Sequence, residues 1–74
     1  MKKYHPVDID AHKDEFGQEI PDTIIWNGCE LYPVERILHV CQPEDHIIRY
    51  TVRVDGRQRC LYFNGRQWRI SNPL

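Results

Sequence analysis

Serine is nearly missing from this chain, with Ser71 standing alone near the C-terminus, so the commonest hydroxyl nucleophile of acyl-transfer chemistry has almost no place in it. No Cys-x-x-Cys pair occurs among Cys29, Cys41 and Cys60. An odd count leaves one thiol over, which argues against a secreted disulfide framework and points to a reducing, cytoplasmic setting. No run approaches the ~18 apolar residues of a membrane helix. The opening Met1-Lys2-Lys3-Tyr4-His5-Pro6 has two lysines but no apolar stretch behind them, so neither signal peptide nor membrane anchor is expected. No glycine-rich phosphate loop is present, because the four glycines are spread over positions 17, 28, 56 and 65, each in a turn context. Repeats, linkers and low-complexity segments are lacking as well.

What is present fits one small domain over residues 1–74. A chain of this length buries only about 60% of the surface it exposes when unfolded, and its core is correspondingly small. Hydrophobic residues make up 41% and charged residues 28%, with two Trp, four Tyr and two Phe; that is globular composition. The net charge of −1 conceals a division. Residues 1–30 hold three Lys and seven Asp or Glu, whereas residues 31–74 hold seven Arg and four acids. Such asymmetry is either paired off inside the domain or presented as a basic face to a partner.

Asn27-Gly28, Asp55-Gly56 and Asn64-Gly65 are each flanked by strand-favouring residues, the signature of type I′ turns between antiparallel neighbours. Thr23 to Trp26 reads as a strand before the first turn. After it, Cys29 to Tyr32 continues into Val34 to Cys41 as one long, bent strand ended by Gln42-Pro43. A helix over 33–41 competes, since Val34, Ile37, Leu38 and Cys41 fall at helical spacing behind Pro33. The strand is preferred because the window is short, rich in β-branched residues, and follows a hairpin turn with no loop for a change of element. Ile47 to Val54 alternates as a half-buried strand. Its partner runs from Arg57 to Phe63 and the last strand from Arg66 to Ile70, a C-terminal meander. Near the start, Val7, Ile9 and Ala11 alternate with Asp8, Asp10 and His12, and Asp14-Glu15-Phe16-Gly17 reverses the chain. The expected fold is all-β: a small bent antiparallel sheet or SH3-like barrel of about six strands. Pro6, Pro21, Pro33, Pro43 and Pro73 are expected at strand starts or beyond strand ends.

Two-residue turns fix register, and register fixes faces. Turning at Asp55-Gly56 sets Val54 against Arg57, Val52 against Arg59, Tyr50 against Leu61 and Ile48 against Phe63. Turning at Asn64-Gly65 sets Leu61 against Trp68 and Arg59 against Ile70. One face then collects Ile48, Tyr50, Val52, Val54, Leu61, Phe63, Trp68 and Ile70. Arg59 interrupts it, and an unpaired cation there is costly. It is therefore expected at an open end of the barrel or paired with Asp8, Asp10 or Glu35. The opposite face collects Arg49, Thr51, Arg53, Gln58, Cys60, Tyr62, Gln67 and Arg69. Arginines around a tyrosine on a sheet can hold a phosphate backbone and stack a base. The plainer account is a solvated sheet face whose arginine stems cover apolar area.

Other chemistry is sparse. His39-Val40-Cys41 places two metal-ligand types on one side of a strand, but further ligands from His46, Cys29 or Cys60 lack the paired spacing of a zinc site, so no metal or other cofactor is expected. Cys60 among arginines has the environment that activates a thiol, yet no histidine base stands beside it in the register, and a small side chain filling a sheet position explains it. Asp8, Asp10, Asp14 and Glu15 read as a solvated edge strand and its turn, where charge discourages aggregation. Trp26, Tyr32 and Trp68 form either an aromatic cleft or, as large aromatics in a small chain usually do, part of the core.

Ile25-Trp26-Asn27-Gly28, Tyr32-Pro33-Val34-Glu35-Arg36-Ile37-Leu38, Arg49-Tyr50-Thr51-Val52-Arg53 and Leu61-Tyr62-Phe63-Asn64-Gly65-Arg66-Gln67-Trp68 together resemble a family of small uncharacterised bacterial β-domains. This is a domain-of-unknown-function family, some members of which are attached to DNA polymerases of the Y family. The resemblance spans most of the chain, implies a compact sheet or barrel, and brings no active site with it. The expectation is thus a non-enzymatic interaction module, a monomer or weak dimer with no membrane association. It would bind a protein partner or another copy of itself, through an exposed edge strand or through the basic face of Arg49, Arg53, Tyr62 and Arg69. The alternative use of those same four residues is nucleic-acid binding as an accessory domain, linked to DNA repair or replication.

Overall fold

Five turns with left-handed residues, at Gly17, Asn27-Gly28, His46, Asp55-Gly56 and Gly65, and two sheet margins organise the chain, whose computed structural model describes residues 4–71. Over these residues there is no helix and there are seven strands: β1 (His5–Lys13), β2 (Glu19–Trp26), β3 (Glu30–Pro33), β4 (Arg36–Glu44), β5 (Ile47–Val54), β6 (Arg57–Phe63) and β7 (Trp68–Ile70). They form one curled antiparallel sheet in the order β3-β2-β1-β7-β6-β5-β4. β1 makes the curl. Its first residues, His5 to Val7, pair with β7, and the rest, Asp8 to Lys13, pair with β2. The result is a half-barrel, in agreement with the all-β expectation.

The expected long strand over 29–41 is two strands at opposite margins of the sheet. Pro33 ends β3, having no amide hydrogen to continue a ladder. Val34 then donates to the carbonyl of Asp22 in β2 (2.8 Å) and Glu35 to that of Arg53 in β5 (2.8 Å), so two consecutive residues tie the two sides of the sheet together. The Val34 bond extends the regular β2–β3 ladder, while on its other side β2 bulges against β1: Asp10 pairs with Thr23, but Ala11 pairs with Pro21. Pro21 therefore lies inside β2 at the bulge, and Pro43 lies inside β4 beside another irregularity; neither marks the strand boundary expected of it. Pro73 falls outside the described residues. β1 is a central strand, so Asp8 and Asp10 project from the sheet's outer face rather than from an edge.

Asp55 and Gly56 both take left-handed φ values, 53° and 74°, and this type I′ turn delivers the expected β5–β6 register from Val54–Arg57 to Ile48–Phe63. Asn64-Gly65 behaves differently. Only Gly65 is left-handed (φ 93°). The Asn64 Oδ1 atom accepts from the amides of Arg66 (2.9 Å) and Gln67 (2.8 Å), an Asx arrangement that stretches the turn to 64–67. Phe63 consequently meets Trp68 and Leu61 meets Ile70, in place of the expected Leu61–Trp68 and Arg59–Ile70, and the last strand begins at Trp68 rather than Arg66. A shift of two residues keeps every side chain on its expected face.

The inner face holds the core: Ile24, Tyr50, Val52, Val54, Leu61, Trp68 and Ile70, all buried, with Val7, Ile9, Ile37, Ile48 and Phe63 packed against them. Each fully buried aliphatic side chain contributes about 1.5–3 kcal/mol. Trp68 stacks on Phe63 (centroids 4.5 Å apart) and tilts against Tyr50 (5.2 Å). Tyr50 reaches across to donate its hydroxyl to the carbonyl of Glu19 (2.6 Å), which satisfies its one polar atom. Arg59 sits at an open end, lining a cavity of about 340 Å³ with Tyr32, Val54, Asp55 and Arg57. Among the described residues it forms no ion pair with Asp8, Asp10 or Glu35. The side chain is half-buried there, and its Nε is shielded without a hydrogen-bond acceptor, so the mouth relieves only part of the cost of a cation on the core side.

Candidate functional site: an arginine-tyrosine pocket

β5, β6 and β7 alternate, so the residues between the core positions project outward. Register then lines up one cross-strand row: Cys41 beside Arg49, Arg49 beside Tyr62, Tyr62 beside Arg69, and Arg69 beside Pro6. Arg49, Tyr62 and Arg69 are brought together as expected. Arg53 is not. It shares the face but lies four residues along β5, about 13 Å away at ~3.3 Å per residue, next to Arg36 and Gln58.

The row forms the floor of a cavity of about 180 Å³ lined by Tyr4, Pro43, Glu44, Ile47, Arg49, Tyr62 and Arg69. Tyr4 stands edge-on to Tyr62, with centroids 4.9 Å apart and planes at 71°, the favoured geometry for an aromatic pair. The Arg49 guanidinium is held above its ordinary range, first by the Tyr62 phenol beside it and then by the Cys41 thiol. Burial pushes the Tyr62 phenol up, while Arg49 opposes that shift. Arg49 Nε is shielded and has no hydrogen-bond acceptor, so what the guanidinium can offer the cavity comes from its terminal nitrogens.

Tyr4, Pro43, Glu44 and Ile47 were outside the expected site. Tyr4 belongs to it only through the β1–β7 pairing, and Pro43 and Glu44 only because β4 runs on past Cys41. An aromatic two residues ahead of Pro6 was the one available hint.

The remaining candidates separate. Trp68 is core, whereas Trp26 and Tyr32 are half-buried and lie on different cavities; the three make no common cleft. Cys60 faces Thr51 (Sγ to Oγ1, 3.9 Å), and His39 lies one strand further on. Among the described residues no three His, Cys, Asp or Glu side chains converge as a metal site would require. Among the described residues no helix is long and apolar enough to cross a membrane.

Fold and site together define a small all-β half-barrel domain with an arginine-tyrosine pocket on its outer face. Comparison with family models, with curated proteins and with solved structures finds no match for this chain.

Proposed function

We propose that the chain is a non-enzymatic interaction module whose Arg49-Tyr62-Arg69 pocket receives a carboxylate-bearing side chain or chain end of a partner protein. The observation that carries this reading is the convergence of two guanidinium groups on either side of a tyrosine, over a cavity of about 180 Å³ whose walls include Pro43, Ile47 and Tyr4. A space of that size takes one side chain. Guanidinium groups pair with carboxylates through parallel hydrogen bonds, and the apolar wall favours a group with a hydrocarbon body. Glu44 on the rim offsets one of the two positive charges, which suits a single carboxylate better than a phosphodiester chain.

Nucleic-acid binding as an accessory domain is the second reading. Arg49, Arg53, Tyr62 and Arg69 do share one sheet face, and the resemblance to domains attached to Y-family polymerases supports it. Against it, the neighbouring outer face of β1 carries exposed Asp8 and Asp10, which would repel a backbone continuing past Arg69.

Heteronuclear NMR titration separates the two. A short peptide ending in Phe-Glu should shift resonances of Tyr4, Arg49, Tyr62 and Arg69. Arg49→Ala and Arg69→Ala should each weaken it roughly tenfold, the scale of losing one charge-assisted hydrogen bond, and Arg53→Ala should leave it alone. Binding of single-stranded oligonucleotide that falls steeply with salt and that Arg53→Ala weakens equally would replace the first reading with the second.

A further inference from the structure

β4 is the longer of the two sheet margins. It has nine residues, against four in β3, and its Leu38 and Val40 are 39% and 40% exposed. An uncovered edge of this length is a template for another strand. Its sequence and geometry specify which.

We propose that β4 pairs antiparallel with β4 of a second copy about a two-fold axis through Val40. Three observations converge on that residue. First, β4 is irregular at two places, between Ile37 and His39 and between Cys41 and Glu44. Each adds one residue relative to β5, and between them lies the regular stretch His39 to Cys41, which is centred on Val40. Second, Arg36 and Glu44 lie four residues to either side of Val40, and both project from the outer face, beside Arg53 and Ile47 of β5. Antiparallel pairing about Val40 sets Arg36 of each copy against Glu44 of the other; parallel pairing would set arginine against arginine. Third, the same axis brings the two half-exposed Val40 side chains face to face on the core side.

Such a contact is isologous and closes on itself. The regular stretch between the irregularities is only His39 to Cys41, and Pro43 can donate no ladder hydrogen bond; pairing is therefore short and reversible. It stands independently of the pocket reading, although it would place Arg36 of the second copy beside Glu44 at the pocket's rim.

Sedimentation velocity over a concentration series tests the contact. The wild-type chain should show a monomer-dimer equilibrium. Glu44→Arg and Arg36→Glu should each lower the association constant roughly tenfold or more, because two attractive pairs become repulsive. The double variant R36E/E44R should recover dimerisation. Val40→Cys in a Cys41→Ser background should oxidise to a covalent dimer faster than Gln58→Cys in the same background, a readout that holds whatever the charge variants do to folding. A chain that stays monomeric into the millimolar range, a dimer indifferent to E44R, or Val40→Cys cross-linking no faster than Gln58→Cys overturns the proposal.

Discussion

Val34 donates its amide to the Asp22 carbonyl across 2.8 Å, which carries the β2–β3 hairpin ladder one residue past its Thr23–Pro33 pair. Asp22 is also the extra residue of the β2 bulge against β1. Val34 lies between β3 and β4, the two margins of the sheet, and Glu35 immediately bonds the carbonyl of Arg53 on the other side. The curl is thus held by backbone bonds from adjacent residues as well as by the packing of its inner face.

Val34→Pro should unfold the domain at markedly lower urea concentration than wild type. The substitution deletes the donor and leaves the Asp22 carbonyl without it, a loss of about 1–3 kcal/mol. Val34→Ala keeps the amide and removes only part of a half-buried side chain packed against the core, about 1 kcal/mol. Equal midpoints for the two variants would show that the bond does not hold the curl.

His12 and Asp22 offer a second handle on the same bulge. Asp22 Oδ2 lies 2.7 Å from His12 Nδ1, and that hydrogen bond, followed by the charges of Asp22, Asp14 and Glu19, raises the His12 pKa above its usual value. A histidine whose folded pKa is raised adds stability that is fully present below the unfolded value of about 6.5 and fades as pH rises through the folded value. Both side chains are exposed, so the effect is small and screened by salt. The imidazole resonances of His12 should titrate above those of a free histidine, and Asp22→Asn should bring them back. A His12 midpoint that Asp22→Asn leaves in place would mean that the pair does not form in solution.

Most of the fold was legible because alternation and turn chemistry act locally. Ile48, Tyr50, Val52 and Val54 announce their face by period two, and Asp55-Gly56 sets the register opposite them without help from the rest of the chain. Asn64-Gly65 misled because the same dipeptide supports two turns. The Asn64 side chain can cap the amides of Arg66 and Gln67, and the choice is made by Trp68 finding Phe63 to stack on, which is a tertiary fact. The break at Pro33 was hidden for a related reason: β3 and β4 read as one strand until Asp22 and Arg53 claim Val34 and Glu35. In the site, Arg49, Tyr62 and Arg69 followed from register alone. Tyr4 and Glu44 depend on pairings that lie far apart in sequence, and Arg53 was grouped with the others because alternation reports the face and not the distance along it.

The Tyr62 phenol reports on the pocket directly. Burial raises its pKa and the neighbouring Arg49 cation lowers it, with burial the larger cause. Arg49→Met keeps an apolar stem over the ring while deleting the cation, so the opposing influence disappears and Tyr62 should titrate still higher. Tyr32 and Tyr50 are raised as well, so the measurement has to be residue-specific, by carbon-13 labelling of the tyrosine ring. A Tyr62 midpoint that stays put or falls in Arg49→Met would show that Arg49 and Tyr62 do not touch in solution, and the pocket would lose its floor. A carboxylate held between Arg49 and Arg69 adds negative potential beside the phenol. Its binding should therefore move the Tyr62 midpoint in the same upward direction, which makes occupancy readable without knowing the partner.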